Sequence, residues 1–321
     1  MQVWCDFWPN FLDRERLNSV VDELNELDKD ENREQTIEDI CKGVYLKYDQ
    51  QDEVRLKNIR IEFQKQIDDI AHVHLSTSRV KTIDSILRKI ITKRHGNYFS
   101  KTSPYATLTE ENYQDALTDL VGVRVILSYR GDWKEVHNEL LGLFPLKEKS
   151  VYTGCLLPHE DGKTFMAEWP KAYYAEGDDT LAYLQEDVEP NLHKKGYRSV
   201  HYTISFMGTY IELQVRTIYD EAWSDVDHRY VYKQEANPSN DALMELSGLL
   251  CQLTNLSNDI GEQMRAIYDG QKMSKVAEDS SWLVTGNSKE FFLDVTAKLD
   301  DCKRKFEDMC SRMVVEDTTE E

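Results

Sequence analysis

Two segments in the middle of the chain alternate apolar and polar residues with a period of two, which predicts strands. In VGVRVIL, the alternate residues from Val121 to Leu127 are apolar and fall on one face. In YIELQVR, the alternation predicts that Ile211, Leu213 and Val215 are buried. It also predicts that three polar side chains share the opposite face of this strand: Glu212, Gln214 and Arg216.

A third apolar segment, YTISF at 202–206, ends shortly before YIELQVR at 210–216, and the short connection between them contains Gly208. A glycine at the first position of a two-residue connection is typical of a type II′ turn. We therefore expect the two segments to form an antiparallel hairpin.

Helical patterns dominate on both sides of this region. A helix through VRLKNIRIEFQKQI is expected to turn Val54, Ile61 and Ile67 inward. Towards the end of the chain, apolar residues fall on heptad a and d positions, which we interpret as packing within the chain: Leu243, Leu246, Leu250, Leu253, Ile260, Met264 and Ile267. A coiled coil that joins two copies of the chain is the alternative.

These patterns divide the chain into three parts. Residues 1–78 are expected to form a helical region. Residues 79–235 mix strand and helix patterns, which indicates an α/β or α+β domain. Residues 236–321 are expected to form a second helical region that ends in an acidic tail.

The composition is that of an ordinary globular protein with a strong negative charge. The formal net charge of the 321 residues is -20, and the pI is near 4.9. This charge argues against non-specific binding to nucleic acid or to anionic membranes, but it is compatible with a local site for a polyanion. The six cysteines lack metal-ligand spacing, and the chain shows neither a signal peptide nor an apolar membrane-spanning stretch. We therefore expect a cytoplasmic protein with no membrane partner.

Basic residues surround the start of a helix that is predicted to begin near residue 82. Positive charge at a helix start opposes the macrodipole, so helix stability does not explain it. A phosphate ligand does explain it, and a solvated basic face is the alternative. The candidates for phosphate binding are Arg79, Lys81, Ser85, Arg88 and Lys89.

Two carboxylates are candidates for a metal site. Asp119 directly precedes one predicted strand, and Glu212 lies within another. If these strands are neighbours, the two side chains supply the oxygen ligands that Mg²⁺ prefers, and Mg²⁺ commonly bridges protein carboxylates to substrate phosphates. For either residue taken alone, an ordinary surface acid is the alternative.

The segment KKGYRSVHYTI, residues 194–204, combines basic and aromatic residues beside a strand. Gly196 permits a turn, and Tyr197 offers a ring on which a base can stack. Arg198 and His201 are candidates for phosphate or ribose contacts. A half-buried strand aromatic is the alternative for Tyr197. The occurrence of this segment together with a basic helix start and two carboxylates favours a nucleotide site.

Five motifs resemble, in the same order, the synthetase domain of the RelA/SpoT family: RVKTIDSILRKI, DLVGVRVI, KKGYRSVHYTI, IELQVRT and WSDVDHRYVYK. The resemblance covers about residues 79–235. It implies a mixed, partly antiparallel sheet of nucleotidyltransferase-like type with flanking helices, and the strand predictions agree with that fold. It also implies the family reaction, in which the β,γ-pyrophosphoryl group of ATP is transferred to the 3′-hydroxyl of a guanosine nucleotide to make ppGpp or pppGpp.

The resemblance further implies roles for individual residues. Asp119 and Glu212 would be the catalytic pair: Asp119 would ligate Mg²⁺, and Glu212 would share the metal or accept the proton of the attacking hydroxyl. Tyr197 would stack on the acceptor base. The ATP phosphates would be bound by Arg79, Lys81, Ser85, Arg88 and Lys89. The acceptor site would comprise His193, Lys194, Lys195, Tyr197, Arg198, His201, Gln214 and Arg216.

Two departures from the family pattern concern the acceptor. His193 stands four residues ahead of Tyr197, where the family has a lysine for the acceptor's 5′ phosphates, and Lys194 and Lys195 are the nearby substitutes. The segment at about 145–190 has no counterpart in the minimal family pattern, so we expect an insertion that acts as a lid or a regulatory element. The amino-terminal third contains no His-Asp pair that would indicate the companion hydrolase of long family members.

Alternatives to guanosine-alarmone synthesis stay open. A toxin-type member of the family would pyrophosphorylate the 3′ end of tRNA or make adenosine alarmones, with an antitoxin or regulatory protein as its partner. The net charge of -20 favours a nucleotide acceptor over tRNA. An inactive nucleotide-binding module is the third alternative, although the expected cations and carboxylates are all present. A homo-oligomer through the C-terminal helix is a further expectation.

Overall fold

The computed structural model of the protein describes residues 14–31, 33–178, 187–231, 241–276 and 286–316. None of the helices in these ranges has the length and apolar character of a membrane span. The α-helices are α1 (Arg14–Asp30), α2 (Ile37–Lys47), α3 (Glu53–Asp68), α4 (Ile83–Asn97), α5 (Tyr113–Ala116), α6 (Trp133–Leu143), α7 (Ile218–Tyr230), α8 (Asp241–Val276) and α9 (Gly286–Glu316). Shorter helical turns are a π-helical turn at Tyr48–Asp52 and 3-10 turns at Pro104–Thr107, Arg130–Asp132 and Lys149–Val151.

The strands of the described residues form one mixed sheet. They are β1 (Val73–Val80), β2 (Val121–Leu127), β3 (Phe165–Met166), β4 (Lys171–Tyr174), β5 (Glu189–Leu192), β6 (Ser199–Phe206) and β7 (Thr209–Thr217). Their order is β1-β2-β7-β6-β4-β5, with β3 paired to β6. The β2–β7 and β4–β5 pairs are parallel, and the other pairs are antiparallel. The expected mixed, partly antiparallel sheet with flanking helices is therefore confirmed.

One face of the sheet is apolar and packs against α3 and α6. Val121, Val123 and Val125 are buried on this face, as their alternation predicts. The ring of Phe63 on α3 stacks on Phe144 with a centroid separation of 5.2 Å, and it meets Phe206 of β6 edge-on at 5.3 Å. Because the apolar residues of β2 and β7 point to this side, the polar residues between them are directed to the opposite face.

Helix α3 presents a different face to the core from the one predicted. Ile67 is buried as expected, but Val54 and Ile61 are 63% and 42% exposed, so their predicted burial is wrong. The buried residues of this helix are Leu56, Ile59, Phe63 and Ile67. This set follows the helical period more closely, so the face that meets Phe144 and Phe206 excludes Val54 and Ile61.

The hairpin of β6 and β7 is antiparallel as predicted, but the predicted turn type is wrong. Phe206 pairs with Thr209, so the two connecting residues are Met207 and Gly208. Both have positive φ angles, 49° and 68°. Positive φ at both positions is typical of a type I′ turn, whose twist matches that of the flanking strands. Gly208 therefore occupies the second position and not the first.

The described part of the predicted insertion at about 145–190 extends the sheet. Its strands β3 and β4 both pair antiparallel with β6, and β5 follows as the parallel neighbour of β4. This segment therefore lies beside the strand that carries His201. Its action as a lid or a regulatory element stays a prediction.

Helix α8 lies on the domain with a mixed polar and apolar side inward, and most of its heptad stripe is more exposed than predicted. Ser247, Cys251, Leu256 and Asn258 are buried on this helix. The stripe residues that are 36% to 66% exposed are Leu243, Leu246, Leu253, Met264 and Ile267.

Polar contacts to the domain explain the orientation of α8. Trp223 of α7 donates from Nε1 to the carbonyl oxygen of Ser247 at 3.0 Å. The backbone N–H of Gly131 donates to Glu262 Oε1 at 2.7 Å, and Arg265 forms an ion pair with Asp132. Part of the apolar stripe, from Leu246 to Leu253, lines a cavity against α9. The role of that stripe in a homo-oligomer stays a prediction.

Candidate active site

The polar face of the sheet presents side chains in two cross-strand rows. The register of β1, β2, β7, β6 and β4 aligns the first row: Thr77, Arg124, Gln214, His201 and Lys171. Two residues further along the strands, the second row contains Arg79, Gly122, Glu212 and Thr203. Adjacent strands are about 4.8 Å apart, so each residue lies beside its neighbour in the row. The predicted shared face of Glu212 and Gln214 is therefore confirmed.

A cavity of about 220 Å³ lies over the β1–β2–β7 part of this face. Arg79 on β1 and Arg124 on β2 line it, together with Glu212 and Gln214 on β7. Two guanidinium groups and a carboxylate thus border one small concave space. A planar, negatively charged ligand such as a nucleotide suits this arrangement, because arginine both stacks on planar groups and binds phosphate.

Lysines of α4 and of its amino-terminal flank converge on Asp119. Lys81 Nζ lies 2.6 Å from Asp119 Oδ2, and Lys89 Nζ lies 2.9 Å from Oδ1. Thr82 caps α4 by accepting a hydrogen bond from the backbone N–H of Ser85, which fixes the helix start beside these lysines. Burial disfavours the charged carboxylate, but Lys89 and Lys81 outweigh it and hold the pKa of Asp119 below its ordinary value.

The two remaining candidates on α4 have local partners. Arg88 Nη2 lies 3.7 Å from Asp84, one helical turn earlier. The hydroxyl of Ser85 accepts a hydrogen bond of 3.0 Å from the Thr82 hydroxyl. Both side chains are half-buried and lie on the same helix as Lys89. The predicted phosphate-binding set is thus divided into Arg79 on the sheet face, two lysines on Asp119, and Ser85 and Arg88 on the first turns of α4.

Glu212 lies close enough to Asp119 for the two charges to affect each other. Burial raises the pKa of Glu212, and the negative charge of Asp119 raises it further. One Glu212 oxygen accepts a hydrogen bond of 3.0 Å from Gln214 Nε2. No group of three or more potential metal ligands occurs among the described residues. Two neighbouring carboxylates nevertheless suit Mg²⁺, which commonly takes one or two protein carboxylates and completes its shell with water and substrate phosphates.

Tyr197 and His201 lie at the β6 end of the polar face. The Tyr197 hydroxyl and His201 Nε2 share a hydrogen bond of 2.8 Å. The guanidinium of Arg216 lies over the Tyr197 ring at 5.3 Å from its centroid, and Tyr173 of β4 meets the ring edge-on at 5.9 Å. Burial, helped by the positive charges of Arg216 and Lys171, lowers the pKa of His201 to about 3. The imidazole is therefore neutral near pH 7.

Comparison with known families agrees with this geometry. Residues 78–237 match the family model described as the region found in RelA / SpoT proteins. This part of the chain belongs to the RelA/SpoT family. The resemblance expected from the five motifs is thereby confirmed, and the matched range contains every candidate site residue named above.

Named relatives of this RelA/SpoT chain come from Bacillus subtilis and Streptococcus pneumoniae. The GTP pyrophosphokinase YwaC of Bacillus subtilis (strain 168) is 25% identical over 198 residues, which is 59% of this chain and 71% of the relative. Among solved structures, a GTP pyrophosphokinase family protein from Streptococcus pneumoniae is 20% identical with a TM-score of 0.41, covering 68% of this chain and 89% of that one. The small alarmone synthetase 2 of Bacillus subtilis is 19% identical with a TM-score of 0.41, covering 68% and 98%.

The structure divides the predicted acceptor residues of this RelA/SpoT domain into two groups. Tyr197, His201, Gln214 and Arg216 lie together at the polar face. The others lie in or beside a separate cavity of about 410 Å³ between residues 193–198 and helices α7 and α8: His193, Lys194, Lys195 and Arg198.

Arg198 and Arg216 have protein partners that the sequence did not indicate. Arg198 donates to both carboxylate oxygens of Asp178, and the side chains of this pair are 10% and 7% exposed. Arg216 is 2% exposed and binds Ser224 Oγ at 2.7 Å and the side chain of Gln214. Arg198 was expected to contact the acceptor, but in the structure its guanidinium binds Asp178.

Three further residues of the site were not among the predicted ones. Arg124 lines the 220 Å³ cavity. Its polar position within VGVRVIL could have identified it as a site residue from the sequence. Glu221 of α7 lies 2.8 Å from Arg124 Nη1 and 3.3 Å from Arg216 Nη1, so one carboxylate holds both arginines. Lys171 joins the row of His201 only because β4 pairs with β6, and no local pattern reveals that pairing.

Proposed function

We propose that the protein is a Mg²⁺-dependent pyrophosphokinase that transfers the β,γ-pyrophosphoryl group of ATP to the 3′-hydroxyl of GDP or GTP, making (p)ppGpp. The observation that carries the proposal is the convergence of Lys81, Lys89, Asp119 and Glu212 beside a cavity flanked by arginines. The family match and the named GTP pyrophosphokinase relative support it. The synthetase domain of the proposal extends over about residues 79–235, with helical regions on either side.

The cations around the cavity suit the phosphate chain of ATP. Arg79, Lys81 and Lys89 bind the phosphates in this proposal, with Ser85 and Arg88 next to them on the first turns of α4. Transfer of a phosphoryl-type group passes through a loose transition state with charge on the phosphate oxygens, so positioned cations contribute more than covalent chemistry does. Arg124, held by Glu221 at 2.8 Å, borders the same cavity and supplies a further planar cation for the nucleotide.

The pair of carboxylates fits a divalent cation. The raised pKa of Glu212 reflects burial and the nearby charge of Asp119, and a cation between the two groups would relieve this repulsion. Asp119 would ligate Mg²⁺, and Glu212 would share the metal or accept the proton of the attacking hydroxyl. When bound, Mg²⁺ would neutralise part of the charge on the ATP phosphates.

In the proposed reaction, the 3′-oxygen of the acceptor forms a bond to the β-phosphorus of ATP. The bond from the β-phosphorus to the oxygen that bridges it to the α-phosphorus breaks, and AMP leaves with that oxygen. The hydroxyl proton passes to Glu212, whose raised pKa brings it closer to the range of an effective general base. Lys81 and Lys89 keep Asp119 ionised throughout, because they hold its pKa low.

The acceptor base would stack at Tyr197. The ring is half-buried, with Arg216 over it and the hydroxyl fixed by His201, so its orientation is set before the acceptor arrives. Such preorganisation reduces the entropy lost on binding. Gln214, which already donates to Glu212, would link the acceptor side of the face to the catalytic carboxylate.

A second acceptor, the 3′ end of tRNA, is favoured by one observation. Lys194 and Lys195 are exposed beside the 410 Å³ cavity, outside the two cross-strand rows. An acceptor that continues beyond one nucleotide has further phosphates that can reach these lysines, and each such contact would make binding salt-dependent. The net charge of -20 opposes this acceptor.

Incubation of the purified protein with γ-labelled ATP and Mg²⁺ tests the proposal when GDP, GTP, ADP and deacylated tRNA are supplied separately. Label on GDP or GTP is the expected result. Label on tRNA alone would replace the proposed acceptor, and no transfer to any of them would favour an inactive nucleotide-binding module. The Asp119→Asn and Glu212→Gln variants should lose transfer while keeping the wild-type circular dichroism spectrum. Exposed Glu189→Gln is the matched control and should keep full transfer.

A further inference from the structure

A buried ion pair joins the insertion to the start of β6, directly next to Tyr197. Arg198 Nε lies 2.7 Å from Asp178 Oδ2, and Arg198 Nη2 lies 2.9 Å from Oδ1. The two side chains are 10% and 7% exposed. A bidentate pair of this kind is geometrically specific, because both donors and both acceptors must be in place together.

The carboxylate of Asp178 is itself fixed within the insertion. Its Oδ2 accepts a hydrogen bond of 2.8 Å from the backbone N–H of Ala175, and the backbone N–H of Asp178 returns a bond of 3.2 Å to the carbonyl of Ala175. Gly177 between them has φ of +84°, a conformation that favours glycine. The turn at 175–178 therefore presents this carboxylate from a defined position.

Arg198 in turn holds the loop that leads into Tyr197. Its Nη1 donates to the carbonyl oxygen of Gly196 at 3.0 Å, and Gly196 has φ of +83°. His193 closes the same loop, because its carbonyl accepts from the Gly196 N–H at 3.1 Å and its Nδ1 accepts from the Tyr197 N–H at 3.2 Å. A side chain at Gly196 would meet Cys251 Sγ at 2.5 Å, so the loop is also packed tightly on α8.

We propose that Asp178 is a positioning residue for the acceptor site: through Arg198 it holds the 193–197 loop and thereby sets the place of the Tyr197 ring. This rests on the proposed function for the identity of the ligand at Tyr197. It gives the insertion a role in acceptor binding, and it explains why Arg198 carries a guanidinium that points away from the polar face. The proposed ATP-binding residues lie elsewhere, on and next to β1 and α4, where Lys81 and Lys89 pair with Asp119.

The test compares Asp178→Asn with the wild type and with Asp161→Asn, a change of an exposed carboxylate on the same insertion. Asp178→Asn keeps the size of the side chain but removes its charge and one of the two acceptors. We expect the acceptor KM to rise by about tenfold or more, since small displacements of positioning groups have effects of this size. The KM of Asp178→Asn for ATP and its kcat at saturating acceptor should stay within about threefold of the wild-type values. Asp161→Asn should match the wild type in all three constants.

Hydrogen exchange of the same proteins without nucleotides provides a readout that does not depend on activity. Asp178→Asn should speed exchange of the amides in residues 193–198 and leave residues 79–90 unchanged. Equal increases of both KM values, or unchanged exchange at 193–198, would overturn the inference.

If the wild type transfers no pyrophosphate, the proposed function fails. The exchange comparison alone then tests whether Asp178 holds the 193–197 loop. If Asp178→Asn does not fold, Arg198→Lys, which keeps the charge but loses the bidentate fork, is judged by the same two measurements.

Discussion

The buried carboxylate of Asp28 is expected to be essential for the stability of the N-terminal half. It lies on α1 with its side chain fully buried, 2.8 Å from Arg94 Nη2 of α4. The Tyr98 hydroxyl donates to the same oxygen at 3.0 Å. The side chain of Arg94 is 2% exposed, and its Nη1 donates to the carbonyl of Leu108 at 3.1 Å. This contact ties α1 to the helix whose first turns carry the proposed phosphate-binding residues.

The size of the effect follows from this burial. Asp28→Asn preserves shape but leaves the Arg94 guanidinium buried without its counter-charge, which typically costs about 3–5 kcal/mol of unfolding free energy. The matched control lies on the same helix: Glu26 pairs with Lys29 at 2.7 Å, but their side chains are 71% and 61% exposed. Glu26→Gln should cost about 0–1 kcal/mol, because solvent screens exposed pairs.

Urea unfolding followed by circular dichroism measures both variants. With an m-value of about 3 kcal/mol/M, the midpoint of Asp28→Asn should fall by about 1 M or more, and that of Glu26→Gln by much less. Adding Arg94→Met to Asp28→Asn should recover part of the loss, because the uncompensated charge is then absent. A midpoint for Asp28→Asn as close to the wild type as that of Glu26→Gln would show that the buried Asp28–Arg94 pair contributes little to stability.

Three further predictions concern the site. Tyr197→Ala should raise the acceptor KM far more than the KM for ATP, whereas Tyr197→Phe, which keeps the ring but loses the contact with His201, should raise the acceptor KM much less; equal effects of Tyr197→Ala on both substrates would show that Tyr197 does not stack on the acceptor base. The acidic limb of the rate profile should have an apparent pKa above 4.5, the ordinary value for glutamate, because burial raises the pKa of Glu212 when it acts as the base; a limb at or below 4.5 would instead fit a Glu212 that ligates Mg²⁺. Burial lowers the pKa of His201 from 6.5 to about 3, so between these values the unfolded chain binds a proton that the folded chain does not. Unfolding free energy should therefore fall as the pH is lowered through this window, by up to about 1.4 kcal/mol per pH unit from this group. His201→Gln should flatten that slope, and an unchanged slope would count against the assignment.

Local periodicity was sufficient for the strands that form the floor of the site. The alternation of VGVRVIL and YIELQVR predicted which residues of β2 and β7 are buried, because a strand between a packed face and a polar face has a period of two. The predicted start of α4 near residue 82 is also confirmed, and the structure adds that Thr82 caps this helix. These are short-range features, and the candidate carboxylates and cations lie on or next to them.

Features that depend on distant contacts were not predictable. The heptad stripe of α8 suggested burial, but most of its residues are exposed, and the helix is held to the segment at 131–132 by contacts of Glu262 and Arg265. The partner of Arg198 lies twenty residues earlier in a segment without a recognisable pattern. Lys171 reaches the row of His201 through a strand pairing that the sequence does not encode locally. The predicted turn type of the hairpin was wrong because the strand register, and not the position of glycine alone, determines which residues form the connection.

Whether the β- and γ-phosphates move together as one group is the sharpest test of the proposed pyrophosphoryl transfer. ATP labelled in parallel reactions at the α- or the γ-phosphorus is incubated with GDP, Mg²⁺ and either the wild type or Glu212→Gln, and the products are separated by chromatography. For the wild type, we expect the γ-label on the guanosine product and the α-label on AMP in equal amount, and for Glu212→Gln we expect neither product. Release of γ-label as free phosphate with ADP as the other product, or full transfer by Glu212→Gln, would contradict the proposal.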